Sequence, residues 1–139
     1  MNPPRLILYH KQSTSARTRF LRLGHGGMCG PEPLPADAVL SDEADPSATV
    51  VSHPAPLIRA AESRLGLSAG SLEAETGFRC RVTSAQGPSE VFLARFRSTD
   101  PPFDTVAAQG GAFIDLTQAR GLPTVELELL RRAYELILG

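Results

Sequence analysis

Between Gly77 and Arg97 apolar and polar residues alternate on both sides of the run Ser84-Ala85-Gln86-Gly87-Pro88. Alternation of this kind marks a strand with one buried face, and glycine and proline between two such runs signal a reversal, so the stretch predicts a β-hairpin. In the first arm Phe78, Cys80 and Val82 point one way and Arg79, Arg81 and Thr83 the other. In the second, Phe92, Ala94 and Phe96 share a face opposite Val91, Leu93, Arg95 and Arg97. If the aromatic sides coincide, one face is a core plate and the other carries four arginines. Arg79 then lies opposite Arg95, a pairing of like charges that destabilises a sheet unless something neutralises it. Glu73, Glu75 and Glu90, an acidic loop, a phosphate-bearing ligand or an acidic protein partner would each serve.

The rest of the chain bounds what such a hairpin belongs to. A length of 139 residues suits one domain with a modest core, and 42% hydrophobic residues exclude a wholly disordered chain. A net charge of -1 gives no global attraction to nucleic acid or to acidic membrane surfaces. The hairpin phenylalanines lie away from the arginines, which also argues against stacking on single-stranded nucleic acid. Two cysteines, Cys29 and Cys80, are too few for a disulfide scaffold. No signal peptide pattern opens the chain and no run approaches the roughly 18 apolar residues of a membrane span, so a cytoplasmic location is expected.

Taken in order, Leu6-Ile7-Leu8-Tyr9 suits a strand buried on both faces. Ser13 or Ser15 is then placed to cap a helix running to Leu23, stopped by Gly24. Residues 24–47, dense in Gly, Pro and acid, read as a long exposed loop, either functional or dispensable. Its Asp37, Asp42, Glu43 and Asp45 are open to two readings, a solvated acidic surface or an autoinhibitory contact with the hairpin arginines. Ala48–Ser52 predicts a second strand, and His53-Pro54-Ala55-Pro56 opens a helix that ends at Gly66. Ser68–Thr76 adds a turn of helix. Asp100 or Asp104 caps a short helix through Ala108, Phe113–Leu116 is a strand or an extended connector, and Thr117–Arg120 one helical turn. The closing helix spans about Pro123 to Leu138.

The expected fold is therefore a single α/β domain, bordering on α+β, with a mixed four-stranded sheet in the order βαβαββα. Leu8-Tyr9-His10, followed by a polar loop and a helix, resembles the opening of thioredoxin-like domains, arsenate-reductase-like ones included. The resemblance covers Arg5–Leu23 and implies a thioredoxin-like topology. Those enzymes carry a reactive cysteine in that loop. Here it holds Ser13, Thr14 and Ser15, so no dithiol reductase activity is expected.

Three groups of residues bear on function. The loop Lys11–Arg19 combines hydroxyls, a helix start and Arg17, a set able to hold a phosphate. It lacks the glycines of a nucleotide-binding fingerprint, so no cofactor is expected. His25-Gly26-Gly27-Met28-Cys29 brings a histidine and a thiol together, without the further ligands of a zinc site or the rigid frame of a catalytic pair, so neither a metal nor a catalytic residue is assigned. In the closing helix Glu128, Arg131, Arg132 and Glu135 form a charged stripe, and the apolar arc opposite exceeds the width one sheet requires. Leu129 and Leu136, one heptad apart and bordered by Arg132, are thereby expected to face a protein partner or a second copy in a homodimer. The function expected is a non-catalytic interaction protein using this helix and the hairpin. The alternative is a small enzyme or ligand-binding domain for an anionic, phosphate-like substrate, held by Ser13, Ser15, Arg17 and the hairpin arginines Arg79, Arg81, Arg95 and Arg97.

Overall fold

The structure, a computed structural model, describes residues 3–41 and 53–139. Seven strands form one mixed sheet: β1 Arg5–Lys11, β2 Thr18–Arg22, β3 Val39–Ser41, β4 Leu72–Ala74, β5 Cys80–Ser84, β6 Gly87–Phe96 and β7 Ala112–Ile114. Their spatial order is β3-β5-β6-β1-β2-β7, with β4 continuing β5's side of the long strand β6. At the centre β1 and β6 run parallel, Arg5 beside Val91 and Tyr9 beside Arg95; the other ladders are antiparallel.

Three helices flank the sheet: α1 Ala55–Leu65, α2 Phe103–Ala107 and α3 Thr124–Leu138. Successive side chains of a strand point to opposite faces, so each central strand feeds two cores. Ile7, Tyr9, Val91 and Leu93 pack with Leu129, Leu130 and Ala133 of α3. Leu6, Leu8, Phe92, Ala94 and Phe96 pack with Ile58, Ala61 and Leu65 of α1. The result is a helix–sheet–helix sandwich, an α/β domain as expected, with more strands than the four predicted. No helix among the described residues is long and apolar enough to cross a membrane.

Local chemistry explains the departures. The helix expected from Ser13 to Leu23 is instead a hairpin, so the passage on which the thioredoxin-like resemblance rested has a different local structure. Ala16 takes a left-handed φ of 56°, and the Gln12 N–H donates across the turn to Arg17 O at 2.9 Å. Phe20 and Leu21 then enter opposite cores, which an amphipathic helix cannot do. Within the expected loop 24–47, Val39–Ser41 pairs with β5, and Asp37 accepts the Ala85 N–H at 2.7 Å. The strand expected over Ala48–Ser52 lies outside the described residues, as do Asp42, Glu43 and Asp45. Ser68–Thr76 yields β4 rather than helix. Neither Asp100 nor Asp104 caps α2, whose N-cap is Pro102. The helix ending at Gly66 is present, with that glycine at φ 73°.

The hairpin forms with a two-residue turn, Ala85-Gln86, and its two aromatic sides do not coincide. Phe78 and Val82 join the α3 core, Phe92 and Phe96 the α1 core. No four-arginine face results. Arg81 stands across from Glu90, and Arg95 across from Glu73 on β4. The closing helix is also corrected in one respect: Leu129 is fully buried, while Leu136 is 37% exposed and Arg132 is exposed. The wide apolar arc is explained by burial between the sheet and neighbouring loops, and Leu129 is no part of an outer surface.

Candidate functional site

The expected anion-binding residues are mostly occupied by partners of their own. Arg17 forms a two-pronged pair with Asp115, Nη2 to Oδ2 at 2.9 Å and Nε to Oδ1 at 3.3 Å. That guanidinium holds the Asp115 carboxyl below its usual range. Arg95 donates to Glu73 at 2.8 Å, and Arg81 lies 3.8 Å from Glu90. Ser15 Oγ accepts the Arg17 N–H at 3.4 Å, and Ser13 is exposed nearby in the β1–β2 turn. Arg79 and Arg97 are exposed, and no hydrogen bond or ion pair engages either guanidinium among the described residues; the Arg97 backbone N–H donates to Ser71 O at 2.9 Å. The structure thus separates residues that the alternation in sequence had placed on one face.

A different site forms where the segment after β2 meets the first turn of α3. Arg22 ends β2, and its Nε donates to Gly26 O at 2.8 Å, fixing the guanidinium at the rim of a turn. The Gly27 N–H donates to His25 Nδ1 at 3.1 Å. A neutral His25 ring therefore carries its proton on Nε2 and offers it outward as a donor. Behind this turn lies Glu126, 5% exposed, whose Oε1 accepts the Met28 N–H at 2.7 Å. A Cβ at position 27 would stand 2.9 Å from that same Oε1, so a side chain there would push the carboxylate away from the Met28 N–H.

The opposite wall is the proline-rich turn Pro33-Leu34-Pro35-Ala36. It is anchored by Arg5, a buried cation whose Nε donates to Glu32 O at 2.9 Å and whose Nη2 donates to Pro33 O at 3.3 Å. Leu6 and Gly30 exchange backbone hydrogen bonds of 2.8 and 3.0 Å, tying the base of the turn to the central strand. Between the walls lies a cleft of about 420 Å3, lined by Arg22, His25, Glu126 and the prolines. A second cleft of about 380 Å3 shares Ala36, Pro123 and Val125 with it and borders Val39 and Glu128. Each is of the size that takes a small organic molecule.

Cys29 lies beneath this site and takes no part at its surface. It is fully buried, and burial together with the neighbouring Glu126 pushes its thiol well above the usual range. His10, within β1, is buried too; its Nε2–H donates to Ser98 O at 2.7 Å, and its Nδ1 has no partner among the described residues. Among those residues no three His, Cys, Asp or Glu side chains are grouped to hold a metal ion. Glu126 and Arg5 escaped the sequence analysis. An acid in the first turn of the helix was a readable sign for Glu126, whereas Arg5 in an apolar run gave no sign of its carbonyl partners.

No family model and no curated protein matches the chain. Among solved structures it is similar to an Ap4A hydrolase from C. elegans, with a TM-score of 0.57 and 16% identity, covering 99% of this chain and 96% of that one. The likeness is one of fold. It overturns the expectation of a non-catalytic protein–protein interaction module, since the architecture is one that an enzyme shares along its whole length and the helix surface invoked for a partner is partly core.

Proposed function

We propose that the chain is a small enzyme or ligand-binding domain for an anionic, phosphate-bearing small molecule, received in the cleft between the 33–36 turn and α3. The observation that carries this reading is the fold shared, nearly end to end, with an Ap4A hydrolase. Arg22 and His25 support it locally, since both line the cleft and both carry N–H groups able to meet an anion. Arg79 and Arg97 are the members of the expected arginine group that stay available to an anion. A cytoplasmic location accompanies the reading.

Thermal unfolding with Ap4A, ATP, inorganic triphosphate and phosphate tests it. A ligand present at 100 times its Kd stabilises by about 2.7 kcal/mol, a readily measured shift. Ap4A or ATP should raise the unfolding temperature, and the double variant Arg22→Ala, His25→Ala should lose most of the rise. Incubation of Ap4A with a divalent cation and separation of the products then distinguishes an enzyme from a binder. Absence of a shift with all four compounds at millimolar concentration overturns the proposal.

A further inference from the structure

We propose that the ligand of this cleft is an aminoalkyl phosphate, a phosphate monoester whose apolar chain ends in an ammonium held by Glu128. The inference rests on the proposed function: the phosphate stays with Arg22 and His25, and Glu128 supplies the chemistry of the other end.

The two clefts meet along Ala36, Pro123 and Val125, and the charge that lines them changes sign from one to the other. The first carries Arg22 and His25, whereas Glu128 is the ionisable residue lining the second. Glu126 also lines the first, but its Oε1 is already taken by the Met28 N–H. Glu128 is half-buried in the second turn of α3, and among the described residues no hydrogen bond or ion pair engages its carboxylate. A carboxylate in that state attracts a cation, and an ammonium brings it charge-assisted N–H donors as well. A second phosphate reaching the same end would meet Glu128 as a like charge, so the acid also discriminates against an anion there. A ligand complementary to both clefts is negative at one end and positive at the other.

What lies between the two charges is apolar. Ala36, Pro123 and Val125 form the waist common to both clefts, and Ala38, Val39 and Leu40 continue it beside Glu128. Val39 is 56% exposed, and a methylene chain laid against it would leave water together with it. Pro123 has no backbone N–H and a rigid ring, so this wall offers contact to a spacer without a competing donor. Apolar contact with a few placed polar groups is the usual construction of small-molecule sites.

The test is calorimetry on the full chain with ω-aminoalkyl phosphates of increasing length and the alkyl phosphates of matched length. At the length whose ammonium reaches Glu128, the amino compound should bind at least about tenfold more tightly than its match, the scale of one charge-assisted hydrogen bond. Glu128→Gln keeps the shape of the side chain and should erase that preference by weakening the amino series, with thermal unfolding to check the fold. Equal binding of the two series by the wild type overturns the inference, whatever the stability of Glu128→Gln, and leaves the proposed function standing. So does a preference that survives in Glu128→Gln. Vesicles of phosphatidylethanolamine present the same groups as a diester and should not retain the chain; retention without binding of the free monoesters assigns the chemistry to a lipid surface and overturns the inference. No binding of either series while Ap4A or ATP stabilises the chain overturns the inference alone; no effect of any of these compounds overturns both.

Discussion

Tyr9 shows how a single hydroxyl ties the sheet to its flanks. Its ring packs 6.3 Å from that of Phe20 in the α3 core, and its OH donates to the Glu75 carboxylate. Burial foremost, then that carboxylate, pushes its pKa above the ordinary value near 10. In the unfolded chain the phenol ionises from about pH 10, while the folded chain keeps its proton. Above that pH the unfolded state binds fewer protons than the native one, so stability falls as pH rises; below it the contribution is full and constant. Denaturant midpoints should therefore decline from about pH 10 upward. Tyr9→Phe should make that decline shallower while lowering stability at neutral pH through loss of the bond to Glu75. An alkaline slope identical to the wild type would show that Tyr9 is not responsible.

At the scale of elements, the closing helix separates two leucines that share a heptad position. Leu129 is 0% exposed in the α3 core, whereas Leu136 packs one side over Gly77 and is 37% exposed. Leu129→Ser should destabilise by about 2–5 kcal/mol, the range of large truncations in a core, with a hydroxyl buried besides. Leu136→Ser should cost clearly less, and thermal unfolding of the two single variants measures the difference. The helix itself was legible because its apolar period of 3.6 runs for four turns between a proline and a glycine. Its inward direction was not, because an arc of more than half the circumference has no unique centre until the loops around it are placed. The same limit misled the reading of Ser13–Leu23. Thr18, Phe20 and Leu21 suit either element, and only the ladder to β1 decides. The arginines illustrate a third case. Alternation told which residues of one strand share a face, but register decides which strand faces which, and β4, unread in the sequence, is what brings Glu73 to Arg95. The cleft was less legible than the fold, since Glu126 comes from the closing helix, far along the chain from Arg22 and His25.

For the whole molecule, the sheet is layered in stability from its centre outward. β1 and β6 are covered on both faces and paired on both edges, while β3 and β7 are three-residue edge strands. Hydrogen exchange should be slowest at Ile7, Leu8, Leu93 and Ala94 and fastest at β3 and β7, because edge pairing opens without the global transition. Faster exchange at the centre than at the edges would contradict this layering.

The central parallel pair also governs when the chain can fold. Arg5 meets Val91 and Leu8 meets Ala94, contacts between the opening of the chain and a stretch about two-thirds of the way along it. During synthesis a ribosome extends the chain vectorially, so β1 leaves the exit tunnel long before β6 exists. Until then it has only its hairpin with β2, one local ladder that is marginal in water by itself. An emerging Leu6-Ile7-Leu8-Tyr9 therefore waits, apolar and unmatched on one edge, and closure of so long a loop is a late and slow event. Nascent chains halted before Val91 should be protease-sensitive throughout, with resistance acquired in one step once β6 and then α3 have emerged.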